Sequence, residues 1–196
     1  MSLIELVDNT RTDKNTTHSY LDLYEELFCK KKNTAKHVLE VGIGDGNQGI
    51  SDGGSIKLWR DYFTYATIYT LDIKHIDLVW DGIKNDERII LYTSTDAYNE
   101  DFVRATFSLK KFDVMLDDGP HTLDSMKLFI KLYTPLMADD GILIIEDIQH
   151  MSWIDILIRE VPDTLKEYIH YYDLRFNKSR FDDIVFTINK SIPPRR

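Results

Sequence analysis

Five short apolar runs, alternating with stretches of helical spacing, decide which architectures are open to this chain. The runs are His37 to Val41, Thr67 to Asp72, Ile89 to Tyr92, Phe112 to Asp118 and Gly141 to Asp147. Near-continuous apolar runs of this length are the mark of strands buried on both faces. Helices are predicted around them: His18 to Lys30, Ser55 to Phe63, Glu100 to Ser108, Leu123 to Leu136 and Ser152 to Val161. In the first, Tyr20, Leu21, Tyr24, Leu27 and Phe28 recur at helical spacing and Thr17 is the expected cap. Strands alternating with helices imply a parallel sheet covered on both sides. Two later runs, Tyr168 to Leu174 and Asp183 to Asn189, have no helix predicted between them, which predicts an antiparallel hairpin. The expected fold is α/β, three-layered and Rossmann-like. Its sheet is seven-stranded and mostly parallel, with a C-terminal antiparallel hairpin.

The chain has 196 residues, 43% of them hydrophobic and 29% charged, which suits one globular domain over 1–196. Residues 1–17 read as a polar arm or lid, and 193–196 as a frayed tail. A net charge of −9 with only short basic clusters argues against a nucleic acid partner, because phosphate contacts need grouped Lys and Arg. No apolar run is long enough to cross a membrane. The single cysteine, Cys29, cannot form an internal disulfide or a Cys-based zinc site, and it is expected to pack at a helix end. A cytoplasmic protein is the expectation.

Acids close the strands: Asp72, then Asp96 after the third, Asp117 and Asp118, and Glu146 and Asp147. In an open α/β sheet, ligands bind beyond the carboxyl ends of the strands, so these acids face the chemistry. The first strand runs into the turn Gly42-Ile-Gly-Asp-Gly46. Residues 44–49 spell G-x-G-x-x-G, the dinucleotide pattern, but it starts too far from the strand, and the helix is delayed by residues 47–52. A pyrophosphate would lack its helix N-terminus there. S-adenosylmethionine (SAM) has no phosphate. It needs close backbone approach, which glycine permits, and an acid for its ribose, which Asp72 supplies.

Val38-Leu-Glu-Val-Gly-Ile-Gly-Asp-Gly46 resembles the first motif of class I SAM-dependent methyltransferases, and Thr70-Leu-Asp-Ile73 resembles the second. The resemblance puts Glu40, Gly42 and Gly44 along the cofactor, Asp72 on the ribose, and Asp96 and Ala97 along the adenine. A narrower resemblance is to metal-dependent sugar O-methyltransferases, which act on macrolide deoxysugars of the mycinamicin and macrocin type. It rests on Thr12-Asp-Lys14, His18-Ser-Tyr20, Gly53 to Phe63, Leu116-Asp-Asp-Gly-Pro-His121 and Ile145-Glu-Asp147. It implies that Asp118, Glu146 and Asp147 bind Mg²⁺ (or another divalent cation such as Mn²⁺) and that His121 is the general base. It also implies that Asp117 and Ser55 face the cofactor, under a lid carrying Lys14, His18 and Tyr20. Gln48 is a further candidate cofactor contact. Catechol O-methyltransferases share this metal arrangement.

The chemistry is coherent. A sugar hydroxyl is a poor nucleophile; Mg²⁺ acidifies it, and Mg²⁺ prefers hard oxygen ligands. A histidine with an ordinary pKa near ~6.5 can take the proton at neutral pH. The expected partner is a small-molecule or glycan acceptor, with a homo-oligomer left open. Three other readings stay open: methylation of a catechol-like phenol, a nicotinamide-dependent oxidoreductase, and a SAM-binding module without catalysis.

Overall fold

The computed structural model describes residues 1–44 and 53–193. Gly46, Gln48 and the rest of the polar stretch 45–52 lie outside the described residues, as does most of the tail, 194–196. Two compact units make up the chain, Met1–Asp96 and Ala97–Arg196.

The first unit opens with a single helical turn, α1 (Leu3–Leu6), held by a capping box between Ser2 and Glu5. Its strands are β1 (His37–Val41), β2 (Thr67–Leu71) and β3 (Ile89–Tyr92). They are parallel, in the order β3-β2-β1, with Val38 opposite Ile68 and Ile68 opposite Ile89. Helices α2 (Leu21–Phe28), α3 (Gly54–Tyr62) and the short α4 (Asp81–Lys84) accompany them. A 3-10 turn, Ile76–Leu78, precedes α4. Phe28, Trp59 and Phe63 are fully buried, with Trp59 edge-on to Phe28 at 5.6 Å between ring centroids. Burying such side chains stabilises by roughly 1.5–3 kcal/mol each.

The second unit holds α5 (Glu100–Phe107), β4 (Phe112–Asp117), α6 (Leu123–Tyr133), β5 (Met137–Ile145), α7 (Ser152–Glu160), β6 (Ile169–Asp173), a one-turn α8 (Arg175–Lys178) and β7 (Ile184–Asn189). Here β4 and β5 are parallel, β5 and β7 antiparallel, and β6 and β7 antiparallel. The seven strands thus form a mostly parallel sheet ending in the predicted antiparallel hairpin. Its core is built from Val114, Leu116, Ile142 to Ile145 and Phe186, covered by Phe129, Ile130 and Tyr133 of α6. Among the described residues, no helix is long and apolar enough to cross a membrane.

Several expectations need correction. Helix α2 starts at Leu21 rather than His18, and its N-cap is Tyr20 rather than Thr17. The Asp13 carbonyl accepts from the amides of Thr16, Thr17 and His18 at 3.0–3.1 Å, so the preceding segment is wound into turns. Within residues 1–17 Leu3 and Lys14 are buried, as are His18 and Tyr20 just beyond them. Cys29 is exposed, not packed, because the helix ends one residue before it. Strand β5 begins four residues early, carrying the exposed pair Asp139 and Asp140 through a register shift against β4. Pro135 converts the end of α6 into a 3-10 turn, Thr134–Leu136. A helical turn, α8, does lie between the last two strands.

Candidate active site

In the first unit Asp72 meets the glycine turn. β1 ends at Val41, and Gly42 turns the chain with φ 98°, a conformation in which a side chain would be strained. The Gly42 amide still donates to the Leu71 carbonyl at 2.9 Å, as though continuing the ladder. Gly44 follows with φ 138°. Asp72, just past β2, accepts from the Ile43 amide at 2.7 Å through one carboxylate oxygen. Its other oxygen accepts from the Lys74 amide at 2.8 Å. One acid therefore ties the glycine turn to the end of the next strand. Asp96, the last residue of this unit, is exposed; Ala97, the first of the second unit, is buried. Ser55 is buried in the first turn of α3.

Glu40 is fully buried within β1. Its carboxylate accepts from the Trp59 indole at 2.6 Å and lies 3.6 Å from the Lys14 ammonium, itself 2% exposed. A buried charge needs such company. His18 stacks on Tyr20 with ring centroids 4.9 Å apart. Lys14, His18 and Tyr20 are thus packed side chains, and Lys14 reaches Glu40 of β1.

In the second unit the loop from β4 to α6 carries Asp117, Asp118, Gly119, Pro120 and His121. Thr122 caps α6 through a capping box with Ser125, fixing where the loop ends. His121 Nε2 lies 3.8 Å from Asp118 Oδ1 and 3.7 Å from Asp147 Oδ2. Asp118, His121 and Asp147 offer ligand atoms within 4.8 Å of one another, and so do Asp118 and Glu146. Glu146 and Asp147 follow β5 directly and are almost fully buried. The Glu146 amide donates to the Asp117 carbonyl at 3.3 Å, which sets the two strand ends side by side. The structure therefore brings together all four residues on which the sequence placed the chemistry. Hard carboxylate oxygens converging beside an imidazole suit a divalent cation with open positions for a ligand.

His121 and Asp147 both adopt positive φ, 52° and 55°. Non-glycine residues rarely do so, and the cost is of order 1–3 kcal/mol each. Such conformations persist only where the surrounding structure holds them in place.

Asp117 is enclosed. Burial pushes its carboxyl up to about 7, with the bond from Tyr98 and the charge of His121 acting the other way. The Tyr98 hydroxyl donates to Asp117 Oδ1 at 2.5 Å, and burial beside that carboxylate raises the phenol's own pKa. The sequence analysis did not single out Tyr98. Its only signal was position, one residue after Asp96-Ala97. Gly119 is dictated by the same tyrosine, since a Cβ there would lie 2.2 Å from the Tyr98 hydroxyl.

No protein-family profile matches the chain. Among curated proteins it is 31% identical over 134 residues to the 8-demethyl-8-(2-methoxy-alpha-L-rhamnosyl)-tetracenomycin-C 3'-O-methyltransferase of Streptomyces olivaceus, covering 67% of this chain and 32% of that one. It is 28% identical over 137 residues to the mycinamicin VI 2''-O-methyltransferase of Micromonospora griseorubida, covering 69% and 33%. It is 26% identical over 152 residues to the demethylmacrocin O-methyltransferase of Streptomyces fradiae, covering 77% and 37%. The aligned part is thus about a third of each relative's length. Among solved structures, the MycE methyltransferase of the mycinamycin biosynthetic pathway, in complex with Mg, SAH and mycinamycin VI, superposes with a TM-score of 0.74. That match covers 96% of this chain and 54% of that one at 20% identity, and it shows the fold.

Proposed function

From a chain with the class I methyltransferase fold and homology to sugar O-methyltransferases, we propose a SAM- and Mg²⁺-dependent enzyme that methylates a sugar hydroxyl of a small glycosylated acceptor. The observation that carries this reading is the convergence of Asp118, Glu146 and Asp147 with His121 at the ends of β4 and β5. A cofactor-binding module without catalysis has no use for it.

Asp118, Glu146 and Asp147 would hold the cation, which when bound acidifies the acceptor hydroxyl and fixes its direction. His121 stands beside two of these carboxylates and takes the hydroxyl proton on its imidazole. SAM supplies a methyl group on a sulfonium that departs as a neutral thioether. Asp72 and the amides of the glycine turn hold that cofactor, with Asp96 and Ala97 toward its adenine and Ser55 nearby. Glu40 is braced by Lys14 and Trp59, which ties the segment before His18 and Tyr20 to β1. Asp117, held by Tyr98, would face the methionine end of SAM. The catalytic unit in this reading is the whole of 1–196.

The relatives named for rhamnosyl and macrolide substrates point to a deoxysugar as the first acceptor to try. Calorimetry with SAH and with NAD separates the cofactor readings; SAH binding with no NAD binding is expected, and the reverse would overturn the proposal. Label transfer from methyl-labelled SAM to a panel of deoxysugar glycosides tests the acceptor class directly.

A further inference from the structure

The strained loop at the candidate site needs something to hold it. Between the end of β4 at Asp117 and the cap of α6 at Thr122 lie Asp118, Gly119, Pro120 and His121, and His121 holds φ 52°. A conformation that costs free energy persists only when contacts around it fix the backbone. Tyr98 supplies such contacts at both ends of the loop. Its hydroxyl donates to Asp117 Oδ1 at 2.5 Å, at the β4 end. The Ser125 side chain, in the first turn of α6, is a second hydrogen-bonding neighbour of that hydroxyl. The Gly119 amide donates to the same Asp117 carboxylate. The loop backbone comes so close there that a Cβ on Gly119 would also lie 3.3 Å from Tyr98 Cζ.

Tyr98 is itself fixed. On one side, the Ala97 carbonyl accepts from the buried Tyr133 hydroxyl of α6 at 2.8 Å. On the other, Asn99 caps α5, its side chain accepting from the Phe102 amide at 3.0 Å. The tyrosine therefore projects from a backbone tied down before and after it. The Asp117 carbonyl accepts from the Glu146 amide, so the β4 end that Tyr98 holds is also the one that meets the acids after β5. A shift at Asp117 moves Asp118 relative to Glu146 and Asp147, and a shift at Ser125 moves His121. Tyr98 acts through Asp117 and Ser125, neither of them among the proposed cation ligands.

Resting on the function proposed above, we propose that Tyr98 is a positioning residue for the metal centre: its hydroxyl bridges the two ends of the β4–α6 loop and so sets Asp118 and His121 against Glu146 and Asp147. Hydrogen-bonding partners behind a metal site orient its ligands, and losing one typically lowers metal affinity or activity by roughly 10- to 100-fold. Packing alone does not need the hydroxyl, because phenylalanine fills the same space. Tyr98→Phe therefore separates the bridge from the packing.

The test is Mn²⁺ binding to the full chain with SAH present, read from the electron paramagnetic resonance signal of free Mn²⁺. Tyr98→Phe is expected to raise the dissociation constant by about 10- to 100-fold while SAH binding is retained. Thr134→Val is the control, since it removes a buried hydroxyl that donates to the Ile130 carbonyl at 2.8 Å, at the far end of α6. It should lower the melting temperature and leave Mn²⁺ affinity as in the parent. A Tyr98→Phe protein with a lower melting temperature and unchanged Mn²⁺ affinity overturns the inference, and so does an equal loss of affinity in Thr134→Val. Should Tyr98→Phe not fold, Ser125→Ala carries the same test, because it leaves the Thr122 hydroxyl capping the residue 125 amide. About tenfold weaker Mn²⁺ binding is then expected, and parent-like binding overturns the inference. A parent protein that binds SAH but no Mn²⁺ sinks the metal-dependent function reading. Equal Mn²⁺ binding by the parent and Tyr98→Phe sinks the positioning role alone.

Discussion

His121 Nε2 lies 3.7 Å from Asp147 Oδ2, and both residues hold positive φ at the ends of neighbouring strands. Removing the imidazole by His121→Ala should lower kcat/KM for methyl transfer by about 10²- to 10⁴-fold, the usual worth of a general base. SAH affinity should be unchanged. A variant with nearly full activity would show that another group takes the proton.

The cation has its own signature. Asp118→Asn removes charge from an acid placed near both His121 and Glu146. Activity should then require much higher Mg²⁺, visible as a shifted metal titration with SAH binding intact. An unshifted titration would place the cation elsewhere.

Asp72, proposed above to hold the cofactor, also braces the fold. Both of its carboxylate oxygens accept backbone amides, so Asp72→Asn would turn an amide NH₂ toward an N–H donor. The expected cost is about 1–3 kcal/mol in urea denaturation, together with weaker SAM binding. Loss of SAM affinity with no loss of stability would show that the two backbone contacts are dispensable.

Asp117 predicts a pH dependence in metal-free protein. Its folded pKa is raised to about 7, and the unfolded value is near 3.8. A raised acid binds its proton more tightly in the folded state. Stability is therefore full below about pH 4 and falls as pH rises toward 7. Asp117→Asn carries no such penalty, so it should gain stability over the parent between pH 5 and pH 8. Parallel denaturation midpoints for the two proteins across that range would contradict the account.

Gly119 and Tyr98 should couple. Gly119→Ala drives a methyl to 2.2 Å from the Tyr98 hydroxyl, which is pinned to Asp117. Overpacking of this kind costs roughly 1–3 kcal/mol. In a Tyr98→Phe background the obstructing oxygen is gone, so the same substitution should cost less. A double-mutant cycle measured by denaturation reads the difference, and simple additivity would contradict it.

What could be read in the sequence follows from range. Apolar runs such as Ile142 to Ile145 announce strands because burial on both faces leaves little room for polar residues, and acids right after them, such as Glu146 and Asp147, announce a site by position alone. The start of α2 was not legible, because the Asp13 carbonyl collects three amides in a segment with no apolar period. Helix α1 is a single turn with one buried side chain, Leu3, below the length at which periodicity speaks. Tyr98 was invisible for another reason. Its role depends on Asp117, 19 residues away, and on the absence of a side chain at Gly119. The positive φ of His121 and Asp147 likewise arises from tertiary constraint, which no local propensity encodes.

The central claim is metal-assisted methyl transfer to a sugar hydroxyl. Methyl-labelled SAM, a deoxysugar glycoside such as p-nitrophenyl α-L-rhamnoside, and the protein should give labelled O-methyl sugar in Mg²⁺. Product formation should stop in EDTA and return when Mg²⁺ is added in excess. Undiminished label transfer in EDTA, or transfer to a catechol and to no glycoside, would contradict the account.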